Sequence, residues 1–236
     1  IMGHNENSYR RFSVAVLNEN DGEPGLGGAN DAGGGKGMDF NVTASQAFDA
    51  GKLGVERIGA YAYFGQRPTV FQFASDTTVV PGSGSTNKSF SRIGVVGDFF
   101  FQNFEVLPLY MHGSEDKALI AGGTQNASWN SYLVEAHYYV NPQLFFLGRA
   151  DYIRMSQQGD PATPKTQGNS DVITLGVRYY PIMFSRAGLA WHTELSFGKT
   201  IGVNPMSGLG NTVDPPATPG TIVNTTSLLT ALDFDF

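Results

Sequence analysis

The chain has 236 residues, no Cys and a formal net charge of −6. The missing Cys excludes disulfide scaffolds, Cys–zinc sites and thiol catalysis, and the acidic balance argues against nucleic acid, which calls for a basic face. Charged residues make up 15%, below the ~25% of ordinary soluble domains, and Gly, at 30, is about twice its usual share.

No window approaches the ~18 apolar residues of a membrane-crossing helix. The opening Ile1-Met2-Gly3-His4-Asn5 lacks the basic and apolar regions of a secretory leader, so the sequence reads as a mature form or an internal piece.

The first strand-like segment is 8–18, and a long Gly-rich connection, 19–36, follows it. Segment 37–48 alternates. Met38, Phe40, Val42, Ala44 and Phe48 share one face, and Asp39, Asn41, Thr43 and Ser45 the other. The short link 49–52 leads to 53–64, where the neighbours Glu56 and Arg57 blur the pattern. A second long connection, 65–88, precedes 89–101. The brief Gln102-Asn103 turn leads to 104–112, interrupted by Pro108, which cannot donate to a ladder. Connection 113–128 is long; 129–140, the turn Asn141-Pro142-Gln143 and 144–155 follow. After the long connection 156–170 come 171–181, a brief link near 182–186, and 187–199. In these two, Ile173, Leu175, Val177 and Tyr179 oppose Thr174, Gly176, Arg178 and Tyr180, and Leu189, Trp191, Leu195 and Phe197 oppose His192, Glu194 and Ser196. The last long connection, 200–223, leads to 224–236.

Most of these ten segments have ten to thirteen residues. That exceeds the ~5–6 of soluble strands and matches the ~9–11 that cross a bilayer at a tilt. Short and long connections alternate, and the long ones are rich in Gly, Pro, Asn, Ser and Thr. The expected fold is all-β: a single antiparallel up-and-down transmembrane β-barrel domain over 1–236, with short periplasmic turns and long extracellular loops. Alternation hides the membrane from the mean hydropathy, which is −0.17. Aromatics near strand ends (Tyr61, Tyr63, Phe64; Phe99, Phe100, Phe101; Tyr138, Tyr139; Phe145, Phe146; Tyr179, Tyr180; Phe234, Phe236) are expected in interfacial girdles.

The chain ends Leu228-Leu229-Thr230-Ala231-Leu232-Asp233-Phe234-Asp235-Phe236. This resembles the last strand of Gram-negative outer-membrane β-barrels, with a terminal Phe and apolar residues at alternating positions. General porins and porin-like proteins of substrate-selective families are the nearest relatives suggested. The resemblance implies a place in the bacterial outer membrane, with Leu232, Phe234 and Phe236 as the signal read by the barrel-assembly machinery. It implies lipid and small solutes or ions as partners and is compatible with a homo-oligomer, though no trimer face is legible. Such porins have about 16–18 strands. The chain is therefore expected to be the C-terminal part of a larger barrel, with a complete ten-stranded barrel as the alternative.

The lumen face is expected to carry Arg11, Asp39, Arg92, Asp98, Glu135, His137, Arg149, Asp151, Arg178, His192, Glu194, Asp233 and Asp235. Opposite charges across a wet lumen tune ion selectivity. The plainer reading is that they are solvated or paired groups that keep the interior wet. Glu135 and His137 with Arg149 and Asp151 form the densest cluster, and acids outnumber bases 21 to 15, a lean towards cations.

His112-Gly113-Ser114 and Asn130 resemble the His-x-Ser and Asn of outer-membrane phospholipases, but Glu115-Asp116 departs from that family's pattern, so a polar strand end is expected. His192-x-Glu194 and Glu135-x-His137 are similar to groups of outer-membrane proteases, whose further acidic residues are missing. No metal-ligand spacing, phosphate cradle or cofactor motif stands out. The expected function is a channel for passive diffusion of small hydrophilic solutes or ions, not an enzyme, with no cofactor and no nucleic acid. The alternative is a narrow structural or adhesion barrel that displays its loops or sheathes a partner protein. An outer-membrane hydrolase is the remote alternative.

Overall fold

The computed structural model describes residues 2–4, 9–18, 38–51, 54–68, 73–75, 78–79, 87–116, 125–159, 161–183, 188–201 and 220–235. In chain order the strands are β1 (Met2–His4), β2 (Arg10–Asn18), β3 (Met38–Asp49), β4 (Val55–Pro68), β5 (Phe73–Ser75), β6 (Thr78–Val79) and β7 (Asn87–Phe101). Then follow β8 (Phe104–Glu115), β9 (Ala127–Asn141), β10 (Leu144–Gln157), β11 (Ser170–Met183), β12 (Gly188–Ile201) and β13 (Ile222–Asp235). Among the described residues there is no α-helix.

The ten expected segments correspond, in order, to the ten long strands. They form one antiparallel up-and-down sheet, β2-β3-β4-β7-β8-β9-β10-β11-β12-β13, with β1 added beside β2. Three short strands escaped the sequence pattern: β1, and the separate ribbon of β5 and β6. Two or three residues are too few to show a period of two. Several strands run past their expected ends, because backbone ladders continue where side-chain alternation fades. The β7–β8 ladder, for example, extends to Phe90 opposite Glu115. Among the described residues no ladder joins β13 to β1 or β2, so the sheet is not closed in this chain.

The short connections lie at one end of the sheet, built from local turn chemistry. The Asp49 carboxylate accepts the Gly51 N–H at 2.8 Å, and the Asn141 side chain accepts the Gln143 N–H at 2.8 Å. Gln102 holds a left-handed φ of 59° in the tight β7–β8 turn. The five long connections all leave from the opposite end. All of 19–36, most of 65–88 and 200–223, much of 113–128, the link 184–187 and Phe236 lie outside the described residues.

The two irregular segments resolve physically. Pro108 pairs with β9, opposite Val134, while the β7 ladder skips from Val96–Leu109 to Phe99–Val106. The missing N–H is thus turned to one neighbour and the register survives. The pair Glu56 and Arg57 splits. Arg57 donates to Ser45 Oγ at 3.0 Å, while buried Glu56 accepts the Phe100 N–H at 2.8 Å, just past the last β4–β7 pair.

Polarity is inverted relative to a water-soluble sheet. Among the described residues the largest fully buried side chains are polar, Asp39 and Thr174, whereas Leu228 is 70% and Phe234 68% exposed. On the exposed face of β8, β9 and β10, cross-strand partners form two aromatic rows. Phe104, Tyr138 and Phe146 lie near the short turns, and Tyr110, Tyr132 and Tyr152 lie towards the long connections. Phe104 and Tyr138 have ring centroids 4.8 Å apart, and Tyr110 and Tyr132 5.2 Å. Between the rows this face carries only Val106, Pro108, Val134, Ala136, Gly148 and Ala150. One step beyond the upper row it turns polar: His112, Asn130 and Arg154.

The girdle expectation needs correction. Strand period two sends alternate aromatics of each cluster to opposite faces. Phe64, Phe101, Tyr138, Phe146, Tyr179 and Phe234 are exposed on the apolar face. Tyr63 and Tyr139 instead bond to carboxylates on the polar face, and Phe145 packs on His137 there, with ring centroids 5.1 Å apart.

Candidate functional site

The polar face holds the candidates for function. Ladder register places Arg92, Asp98, Glu135, His137, Arg149, Asp151, Arg178, His192 and Glu194 on this one face, together with Arg11, Asp39 and Asp233. Asp235 ends β13, opposite Gly188. Period two makes this grouping automatic once neighbouring strands are in register.

The densest part is a chain of hydrogen bonds across β8 and β9 that continues to β10 through one ion pair. Glu105 and His137 are direct cross-strand partners, and His137 Nδ1 lies 2.7 Å from Glu105 Oε2. The other ring nitrogen, Nε2, lies 2.8 Å from Glu135 Oε1. Tyr139 donates its hydroxyl to Glu105 at 2.5 Å. Glu135 faces Arg149 in the next ladder, with Arg149 Nη1 3.7 Å from Glu135 Oε2, and Arg149 Nε donates to Asp151 at 2.9 Å. An ionised carboxylate only accepts, so the doubly protonated ring satisfies both His137 contacts and the neutral ring satisfies one. His137 and Glu105 are 13% and 14% exposed, and Arg149 and Asp151 about a third. The network thus grades from a shielded lower end to an open upper one.

Flanking groups extend it. Asp98 stands opposite Arg57 in the β4–β7 ladder and shares a hydrogen bond with Glu105, so one proton lies between the two carboxyls; Glu56 is a further acidic neighbour. Glu194, on β12, interacts electrostatically with Arg149. Gly176, between them in the sheet, leaves room for this: a Cβ there would sit 2.9 Å from Leu147 and 3.0 Å from the Glu194 side chain. A second cluster joins Arg178, Asp233 and His192 across β11, β12 and β13, at 3.0 Å and 2.8 Å from the shared carboxylate. A third, Arg92 with Glu115 at 3.3 Å, lies towards the long connections, with the guanidinium over Phe90. Asp39 stands apart: it accepts from the Tyr63 hydroxyl at 2.7 Å and the Gln66 N–H at 3.1 Å.

Four members were not legible beforehand: Glu105, Tyr139, Arg57 and Glu115. Glu105 shares its face with Leu107, Leu109 and Met111, so β8 is largely apolar on both sides and shows no polar stripe.

His112, Ser114 and Asn130 lie on the opposite, apolar face. Asn130 Oδ1 accepts from the Tyr110 hydroxyl at 2.8 Å and lies 3.0 Å from His112 Nδ1. Among the described residues no hydrogen bond joins Ser114 to His112, so the nucleophile–base contact of a serine hydrolase is missing. The His112–Asn130 pair sits where the apolar face ends, beyond the Tyr110–Tyr132–Tyr152 row. Among the described residues no group of His, Asp and Glu is arranged to hold a metal ion. Leu232 and Phe234 of the expected terminal signal are exposed on the apolar side of β13, and Phe236 lies outside the described residues.

No protein-family model matches this sequence, and no curated protein matches it.

Proposed function

We propose that the sheet is the wall of a bacterial outer-membrane β-barrel whose polar face lines a lumen for passive diffusion of small hydrophilic solutes or ions. The observation that carries this reading is the apolar face bounded by two aromatic rows. Between the rows β9 runs from Tyr132 to Tyr138, roughly 20 Å at ~3.4 Å per residue, and the apolar face continues past the lower row to Val140, roughly 27 Å from Tyr132. Strand tilt of ~35–45° reduces that to roughly 20 Å, on the scale of the ~25 Å apolar band of transmembrane barrels. Water would penalise this surface, and lipid accepts it.

A bilayer tolerates no open sheet edge, because unpaired N–H and C=O groups find no water there. In lipid the edge of β13 is therefore paired, either by further strands or by the first strands of the same sheet. A larger strand number widens the lumen, and ten closed strands leave little of it. Phe236, Phe234 and Leu232 act in this reading as the assembly signal.

The test is conductance of the natural protein in planar bilayers. Discrete single-channel steps are expected. Folded, inserted protein with no steps would overturn the channel and leave a narrow barrel acting through its loops.

A further inference from the structure

We infer that Asp98 and Glu105 form a proton-dependent latch across the β7–β8 seam, closed while the two carboxyls share a proton and released when that proton is lost. The latch belongs to the wall itself and holds whether or not the lumen conducts.

The seam is weakest where the latch sits. The β7–β8 ladder pairs Val96 with Leu109 and then Phe99 with Val106, and leaves Gly97, Asp98, Leu107 and Pro108 without ladder partners between these two strands. Pro108 is the cause, because it has no N–H to give. Side chains cover the gap on both faces. On the apolar face the Phe99 ring lies over Gly97 beside Pro108: a Cβ on Gly97 would sit 2.3 Å from Phe99 Cε2 and 3.0 Å from Pro108 Cγ. On the polar face Asp98 and Glu105 are diagonal neighbours across the gap, and their carboxyls share a hydrogen bond.

An ionised carboxylate only accepts, so this bond exists only while one of the two acids keeps a proton. The groups that face the pair are Glu56 and Arg57 on β4, and Glu135, His137 and Tyr139 on β9. Arg57 is the one guanidinium among them. It donates to Ser45 Oγ at 3.0 Å, and among the described residues no ion pair joins it to either carboxyl. Asp98 Oδ1 is buried and has no hydrogen-bond partner among the described residues, so a full charge there is poorly solvated. When the proton leaves, two carboxylates stand at hydrogen-bond range across the unladdered stretch. Their repulsion acts on the seam where it has least backbone support. The folded pair holds a proton that a separated pair releases, so the seam is firmest at acid pH and weakens as the pH rises.

The experiment follows amide hydrogen exchange of the natural protein, folded in micelles of a zwitterionic detergent, from about pH 5 to about pH 9. Protection factors remove the intrinsic pH dependence of exchange. Phe99 and Val106, the first ladder pair beyond the gap, report on the seam, and Leu175 and Leu195, paired on β11 and β12, report on the remote sheet. In the wild type, protection at Phe99 and Val106 is expected to fall by about tenfold across this range, the factor that one pKa unit of coupling gives, while Leu175 and Leu195 hold. Asp98→Asn and Glu105→Gln each keep a donor that base does not remove, so each is expected to change by less than about twofold. Where one variant fails to fold, the other is read. Wild-type protection that is flat with pH overturns the latch. So does a fall that persists in Asp98→Asn or Glu105→Gln, which would belong to His137 or another titrating group, and so does a fall shared equally by Leu175 and Leu195.

Discussion

Asp39 and Phe40 are consecutive residues of β3, and the acid is the buried one: Asp39 is 0% exposed and Phe40 37%. Asp39 points to the face that carries the charge network, where Tyr63 and Gln66 satisfy it. Phe40 points to the apolar face and stacks on Phe64 at 5.7 Å. In water this choice would be costly twice over, through an exposed ring and a desolvated carboxylate. In the proposed reading lipid covers Phe40, while Asp39 is satisfied inside the protein by Tyr63 and Gln66.

The same inversion predicts how charge is tolerated. Leu175→Arg places a guanidinium on the apolar face near the middle of β11, and should destabilise the protein in bilayers by about 2–4 kcal/mol. Ser131→Arg, on the polar face of β9, should cost less than about 1 kcal/mol. Equilibrium urea unfolding in vesicles measures both. Equal costs would contradict the assignment of faces.

Gly113 is required by Trp129. A Cβ on Gly113 would lie 2.3 Å from Trp129 Cε2, so the indole crosses the space a side chain would fill. Gly113→Ala should displace the indole and cost about 1–3 kcal/mol, as overpacking does. The displacement is read as an altered emission maximum of Trp129 in a Trp191→Phe background.

Glu56 replaces a missing strand contact by accepting the Phe100 N–H where the β4–β7 ladder stops. Glu56→Ala leaves that N–H without its acceptor and should cost about 1–3 kcal/mol. Hydrogen exchange at Phe100 should accelerate in the variant, while exchange at mid-strand Val95 stays slow. Unchanged exchange at Phe100 would count against the contact.

The strands and their order were legible because three signals agree along this sequence. Alternation as in 37–48, turn residues such as Asp49, Asn141 and Gln143, and Gly-rich long connections all punctuate at the same places. The charged candidates share one face for the same reason: Glu135, His137, Arg149 and Asp151 lie at even spacing on paired strands. Register was not legible, so the contact of His137 with Glu105 could not be foreseen. Glu105 itself was hidden by Leu107, Leu109 and Met111, which erase the polar stripe of β8. The aromatic doublets misled for a simpler reason: Tyr138 and Tyr139 are adjacent, so only one can lie on the apolar face. Sheet closure is a long-range property that no local pattern records.

The terminal strand carries a prediction of its own. Phe234 and Leu232 are exposed on the apolar side of an edge strand. Deleting Phe236, or replacing Phe234 by Asp, should lower the amount of heat-modifiable protein in the outer membrane without changing its synthesis. Normal assembly of both variants would remove the proposed signal.

The most direct test of the account uses its two tryptophans. Trp191 is exposed on the apolar face, opposite Leu232, and Trp129 lies over Gly113 on the polar face. Two single-tryptophan variants, Trp129→Phe and Trp191→Phe, are reconstituted in vesicles whose acyl chains are brominated. Strong quenching of Trp191 and weak quenching of Trp129 are expected, with acrylamide in the aqueous phase favouring Trp129. Quenching of Trp191 by acrylamide and not by brominated lipid would contradict that expectation.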